Sequence, residues 1–266
     1  MSADPRAVES LLAFWAEAGV EACYAEAQVD RAAPPAPRPR VPSAGAATPR
    51  ASMIAGAADT GPSVEQAQRD ARAAGDLDAL EAAIAAFDGC ALKTAGARQA
   101  VFARGVPSAP VMIIGEAPGA EEDIQGAPFV GRAGKLLDRM LGAAGLEGRV
   151  FVTNTVFWRP PGNRTPTLAE QRACQPFLER AVALARPRLL LLVGGAAAKS
   201  VLGCEEGILA IRGRWFEWRS ADGDLELPAL PTLHPAFLLR QPAAKKKAWA
   251  DLLTLTERLD RPERPT

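Results

Sequence analysis

Four short apolar runs, each ending in a polar or glycine-rich turn, set the strongest limit on how this chain can fold. They are VMIIGE (111–116), VFVTNTV (150–156), LLLLVGG (189–195) and LPTLHP (230–235). Segments with helical character separate them, at 133–144, 167–186 and 195–202. Short apolar strands alternating with helices predict an α/β layer structure with a mainly parallel sheet. RWFEW (214–218) adds an edge strand or hairpin. In such sheets ligands sit at the carboxyl ends of the strands. The first, second and fourth runs all end in turns with unusual residues, so function is sought there.

The region before residue 96 has a different texture. Leu11, Leu12, Phe14, Trp15 and Val20 recur at helical spacing and predict a helix within residues 1–30. Residues 31–62 are rich in Pro, Ala, Gly and Ser and nearly free of large apolar side chains. Such a stretch buries too little surface to offset its ordering entropy, which predicts a disordered linker. Residues 63–86 return to helix, with Ser63 at the N-cap and Gln66 at the capping-box position. The folded domain is then expected over 63–260.

Bulk composition excludes several classes. With 48% hydrophobic and 23% charged residues, the 266-residue chain is ordinary for a globular protein. Four cysteines, Cys23, Cys90, Cys174 and Cys204, are widely spaced, and no C-x-x-C pair suggests a disulfide framework or zinc finger. No 18-residue apolar run indicates a transmembrane helix, so no membrane partner is expected. The first residues carry acid before any apolar run, unlike a secretory signal. Together these predict a cytoplasmic protein with reduced thiols; separately, a monomer is expected.

Three turns carry the candidate chemistry. GEAPGAEEDIQGAPFVGRAG (115–134) holds Glu116, Glu121, Glu122, Asp123 and five glycines directly after a buried strand. Glycines let backbone N–H groups approach a ligand, yet the same pattern serves a tight strand–helix connection with solvated acids. It matches neither a Walker loop nor a dinucleotide turn. In TNTVFWRPPGNRTPTLAE (153–170), Asn154 lies inside an apolar strand. Its amide offers a donor and an acceptor side by side, suited to a base edge or to capping local backbone. Arg159 and Arg164 follow on a stiff loop that suits phosphates or plain solvent. In TLHPAFLLRQPAAKKKAWADLL (232–253) stands the sole histidine, His234. Phe237, Leu238, Leu239, Arg240 and Lys245 to Lys247 come after it. An apolar wedge beside basic residues is one way a protein enters a duplex and holds its backbone.

GEAPGAEEDIQGAPFVGRAGKLLD, NTVFWRPPGNRTPT and LHPAFLLRQPAAKKKAWADL together resemble, in order and spacing, three signatures of the family 4 uracil-DNA glycosylases. The resemblance covers roughly 87–255. It implies a three-layer α/β/α fold and a DNA repair enzyme that hydrolyses the N-glycosidic bond of uracil. Its partner is then DNA containing uracil, with the target nucleotide flipped from the stack. The resemblance suggests that Phe129 stacks on the base and that Asn154 reads its edge. His234 would donate to uracil O2 as charge develops there. Backbone groups at Gly115 and Glu116 would line the pocket. Leu238 and its neighbours would fill the gap in the duplex. Arg159, Arg164 and Arg240 would contact DNA. The best-known uracil glycosylases place Asp where this chain has Ala117, so the water-orienting carboxylate must come from nearby. Glu116 is the first candidate and Asp123 the second, with Glu122 capping the helix start or facing solvent.

One departure stands out. Family 4 members usually hold a four-iron, four-sulfur cluster through four cysteines. Here Cys90 and Cys174 match two positions, while Phe87 and Trp158 occupy the others. Two thiolates cannot hold such a cluster. The expectation is no cofactor and no metal, with Phe87 and Trp158 packing in the vacated space. A related branch traps DNA through a histidine inserted after the second motif; this chain has none there, which favours turnover. Two alternatives remain: a non-catalytic nucleic-acid-binding relative, or a glycosylase for another deaminated or mismatched base. The latter rests on Gly119, at a position that is bulky in uracil-strict enzymes.

Charge adds a last constraint. The 31 basic and 31 acidic residues cancel overall. They divide unevenly: residues 1–95 hold 8 basic and 13 acidic, and residues 96–266 hold 23 basic and 18 acidic. The catalytic region is mildly basic, which predicts moderate, transient DNA binding.

Overall fold

The computed structural model describes residues 62–260. The expected N-terminal helix and all but the last residue of the expected linker lie outside them.

The first described elements are α1 (Pro62–Ala73) and α2 (Leu77–Ala86). One helix was expected over 63–86, but the chain breaks at residues 74–76, where the Asp76 side chain caps α2 by accepting from Ala79 N at 2.8 Å. An aspartate satisfies orphan N–H groups better at a cap than within a helix. The helix begins at Pro62, so Ser63 is its second residue rather than its N-cap. A short α3 (Ala91–Thr94) follows.

The remaining elements are β1 (Ala103–Gly105), β2 (Val111–Gly115), α4 (Ala120–Gln125), α5 (Arg132–Ala143), β3 (Val150–Asn154), α6 (Leu168–Ala185), β4 (Leu189–Val193), α7 (Gly195–Leu202), α8 (Ile208–Ile211), β5 (Phe216–Arg219), β6 (Glu226–Thr232), α9 (Pro235–Arg240) and α10 (Lys245–Leu259). The six strands form one sheet in the order β1-β3-β2-β4-β6-β5. The inner strands β3, β2, β4 and β6 run parallel, and the two edges are antiparallel. The α/β expectation with a mainly parallel sheet therefore holds, and RWFEW supplies an edge strand. The three-residue β1 has too little pattern to be visible in the sequence.

Every residue of β2, β3 and β4 is buried. Helices on both faces explain why these strands read as unbroken apolar runs. Alternation assigns the faces. Met112, Ile114, Leu190 and Leu192 join Leu80, Ile84, Phe177 and Leu178 of α2 and α6 on one side. Val111, Ile113, Leu191 and Val193 join Leu137, Leu141, Leu252 and Leu255 of α5 and α10 on the other. These are the three layers.

The chain steps from β2 outward to β3, then crosses back to β4 on the other side of β2. The carboxyl end of β2 thus lies at the switch of strand order, where open α/β sheets bind ligands. No helix among the described residues is long and apolar enough to cross a membrane.

Candidate active site

Gly115 and Asn154 are register partners at the carboxyl ends of β2 and β3. Thr155 locks the two strand ends, its N donating to Gly115 O at 2.9 Å and its Oγ1 to Glu116 O at 2.7 Å. A Cβ added at Gly115 would stand 2.4 Å from Asn154 Oδ1 and 2.5 Å from Phe129 Cζ. Glycine is required there because the amide and the ring converge on its bare Cα.

Asn154 is almost wholly buried, yet neither Nδ2 nor Oδ1 has a hydrogen-bond partner. Leaving such groups unmade costs on the order of 1–3 kcal/mol each. An amide kept this way at a strand end is arranged for something other than stability.

Phe129 reaches the site from the loop between α4 and α5. Its φ is 55°, the left-handed region that a bulky residue rarely enters. That conformation costs on the order of 1–3 kcal/mol and persists only when its surroundings dictate it. Its ring lies 5.8 Å, centroid to centroid, from His234 at an interplanar angle of 32°.

His234 follows β6 and caps α9. Its Nδ1 accepts from Ala236 N at 3.2 Å. Burial, with a smaller contribution from the Arg240 charge, lowers its pKa from 6.5 to about 4, although Glu122 acts in the opposite direction. The ring is therefore neutral at pH 7. With Nδ1 accepting, the proton sits on Nε2, which is left as a donor.

Two features that the sequence reading passed over hold this histidine. Gly194, at φ 102°, lies against it; a Cβ there would come within 3.1 Å of His234 Cβ and 3.2 Å of Cδ2. The doubled glycine ending LLLLVGG was the available signal. Beneath, buried Asp251 of α10 accepts from Thr232 Oγ1 at 2.7 Å and pairs with Arg212. Thr232 O in turn accepts from Gly194 N at 2.9 Å. This network fixes the end of β6 just before His234. Nothing in its spacing, 19 and 39 residues apart, marked it in the sequence.

The acids of the first turn separate by role. Glu116 is half-buried at the mouth of β2, and its carboxylate accepts no hydrogen bond among the described residues. Asp123 is buried and accepts from Arg98 N at 2.9 Å, which ties α4 to the segment before β1. Glu122 accepts from Gly119 N at 3.1 Å, Val130 N at 3.0 Å and Gly131 N at 2.9 Å. It caps the helix, as expected, and also gathers the Phe129 loop. A Cβ at Gly119 would meet Glu122 Oε2 at 2.7 Å, so the space left by the missing side chain is partly taken.

The expected DNA-contacting residues fare unevenly. Arg240 and Lys245 to Lys247 are exposed. Arg159 donates through Nε to Asn163 Oδ1 at 2.8 Å. Arg164 holds Glu170 with two bonds, at 2.8 and 2.7 Å. That pairing, chiefly through the Arg164 hydrogen bonds, pulls the Glu170 pKa down to about 2. Leu238 requires a correction. It is fully buried, in a cluster with Leu136, Leu233 and Ala248. A side chain inside the core cannot be presented to a duplex. Its neighbours Phe237 and Leu239 are only half-buried, packed in part against the same cluster.

Cys90 and Cys174, the two cysteines that match expected cluster positions, lie side by side. Cys174 donates to Cys90, with the two Sγ atoms 3.9 Å apart. Burial pushes the Cys174 thiol up. Phe87 lies 6.5 Å from Trp158 and 5.1 Å from Phe177, and Trp158 lies 6.3 Å from Phe157, all between ring centroids. These residues do not fit a four-thiolate cluster: two ligand positions carry rings that are packed into the core. Among the described residues no group of three or more His, Cys, Asp or Glu could hold a metal ion.

Known proteins resemble this chain over most of the described domain. Residues 102–253 match the family described as the Uracil DNA glycosylase superfamily. A Type-4 uracil-DNA glycosylase of Pyrobaculum aerophilum is 39% identical over 182 residues, covering 66% of this chain and 91% of that protein. One from Sulfurisphaera tokodaii is 38% identical over 173 residues, covering 63% of this chain and 78% of that protein. One from Saccharolobus solfataricus is 38% identical over 168 residues, covering 61% of this chain and 77% of that protein.

Proposed function

The chain belongs to the Uracil DNA glycosylase superfamily, and from that premise we propose that it flips uracil out of DNA and hydrolyses its N-glycosidic bond. The observation that carries this reading is the buried, unpartnered amide of Asn154 facing Gly115 and Phe129. Uracil presents a donor at N3 and an acceptor at O4, which one amide satisfies together. Cytosine presents an acceptor and an amine donor at the same atoms, so an amide oriented for uracil leaves those unpaired.

In this reading Phe129 stacks on the flipped base, and backbone groups at Gly115 and Glu116 line its pocket. His234 donates from Nε2 to uracil O2 as the glycosidic electrons move onto the leaving base. A neutral imidazole suits this task, because it stabilises the developing anion without transferring a proton. Glu116 orients the water and stabilises the oxocarbenium-like sugar. Its uncommitted carboxylate supports it over Asp123, whose carboxylate is occupied by Arg98 N. Arg159, Arg164 and Arg240 line the DNA face, with Arg164 also stiffening its own loop. Phe237 and Leu239 take the wedge role. The enzyme works without an iron–sulfur cluster, the packed rings of Phe87 and Trp158 supporting the core in its place. The cytoplasm is its place of action, and a monomer its working form.

The test uses labelled single- and double-stranded oligonucleotides containing uracil, hypoxanthine or a G·T mismatch, treated with alkali after incubation. Strand cleavage at uracil is expected. Binding without cleavage, or cleavage only at the other bases, would remove the proposal.

A further inference from the structure

We propose that Arg104 is a positioning residue that holds Phe129 in its left-handed conformation for stacking on the base; the proposal rests on the stacking role given to Phe129 above. Arg104 donates through Nε to Pro128 O at 2.7 Å and through Nη2 to Phe129 O at 3.3 Å. Nη2 also donates to Asp138 Oδ1 of α5 at 2.6 Å. The guanidinium thus spans the two carbonyls that flank the Phe129 Cα. A rigid planar fork can do this; a lysine, with one point of charge, cannot hold both in a set geometry.

The surroundings leave the Phe129 peptide few alternatives. On its carbonyl side, Gly134 approaches so closely that a Cβ there would stand 1.7 Å from Phe129 O. On the following N–H side, Glu122 accepts from both Val130 and Gly131. Arg104 completes a grip from three directions on a residue at φ 55°.

The base of the grip is itself fixed. β1 pairs with β3 through Ala103↔Thr153 and Arg104↔Val152. Thr153 Oγ1 donates to Phe102 O at 2.7 Å, and Val106 N donates to Val150 O at 2.9 Å. At Gly105, with φ 101°, a Cβ would meet Val150 O at 2.3 Å, so the two strands approach more closely than any side chain there would allow. The strand that carries Asn154 therefore also carries, through β1, the side chain that sets Phe129. The edge reader and the stacking ring share one reference frame, which keeps their relative placement within the tolerance that catalysis demands.

The full-length protein tests this in a double-mutant cycle. Single-turnover excision of uracil from a duplex is measured for wild type, Arg104→Met, Phe129→Ala and the double variant. Arg104→Met is expected to slow excision about 10- to 100-fold, the scale of a misplacement near 1 Å. In the Phe129→Ala background it should add less than about twofold, because the two act as one unit. Arg104→Met should also weaken inhibition by free uracil while leaving affinity for an abasic-site duplex unchanged. Arg104→Lys is expected to behave like the methionine variant, and near-ultraviolet circular dichroism confirms that each variant is folded. Equal losses in both backgrounds, or a loss abolished by lowering the salt as for a phosphate contact, overturn the proposal. So does Asp138→Asn slowing excision as much as Arg104→Met, which would place the effect in the β1–α5 ion pair. Wild-type excision by Phe129→Ala alone would instead sink the stacking role, and this proposal with it.

Discussion

His234 Nδ1 accepts the backbone N–H of Ala236 at 3.2 Å, and this bond leaves Nε2 as the nitrogen that can donate. The ring both starts α9 and faces Phe129, so the element that positions the histidine also fixes its tautomer.

The pH dependence follows from the lowered pKa. Burial brings His234 from 6.5 to about 4, so the neutral donor persists well below neutrality. Single-turnover excision should show no break near pH 6.5 and should fall as pH approaches 4. Stability has the same sign. The unfolded chain takes up this proton first, so the histidine's contribution is complete above pH 6.5 and is lost as pH falls toward 4. His234→Asn should flatten that part of the stability curve. A wild-type activity break at 6.5 that vanishes in this variant would contradict the assignment.

Asn154 should trade stability for function. Its amide atoms have no partners, so Asn154→Leu removes an unmet demand while keeping the number of side-chain heavy atoms. Thermal unfolding should show a change within about 1 kcal/mol or a gain. Uracil excision should fall at least about 100-fold, the scale of losing an edge-reading contact.

Gly194 should be intolerant of any side chain. Its φ of 102° strains any side chain, and a Cβ would crowd His234 at 3.1 Å. Gly194→Ala is expected to cost about 1–3 kcal/mol in denaturant unfolding. Excision should fall further than Tm loss explains, because His234 is displaced.

The aromatic packing beside Cys90 and Cys174 should behave as hydrophobic core. Phe87→Ala should destabilise by about 3–5 kcal/mol, and Cys90→Ala by only about 1–2 kcal/mol. The purified protein should contain no stoichiometric iron and lack the brown absorbance of a cluster. Iron at about four per chain, with loss of stability on chelation, would refute this.

α9 offers a separation of roles within three residues. Leu238→Ala should cost about 2–5 kcal/mol of stability. Phe237→Ala and Leu239→Ala, half-buried against the same cluster, should cost less than Leu238→Ala. Their excision from duplex DNA should drop more than excision from single strands, where there is no gap to fill.

Much of the site was legible because its residues sit at strand ends. A short apolar run that stops at a glycine or an amide marks its own carboxyl end, and in a parallel sheet those ends gather on one edge. Gly115, Asn154 and His234 could be placed together on that ground, and the motif resemblance added Phe129. The Leu238 expectation failed for a specific reason. The apolar stretch after His234 shows which residues are greasy, but which of them turns inward depends on Leu136 and Ala248, which come from α5 and α10. The split between α1 and α2 was missed because Gly75 and Asp76 interrupt an alanine-rich helical pattern only mildly; the capping bond of Asp76 shows the break.

By itself, then, the sequence determined the α/β layering, the parallel inner strands and the chemical identity of the strand-end residues. Those depend on periodicity and on side-chain type, which are local properties. Tertiary structure alone decided the left-handed Phe129, the Arg104 and Glu122 grip around it, the Gly194 contact with His234 and the burial of Leu238. Each depends on backbone or side chains from elements distant in the chain meeting at a few ångströms, and no local pattern encodes such an encounter.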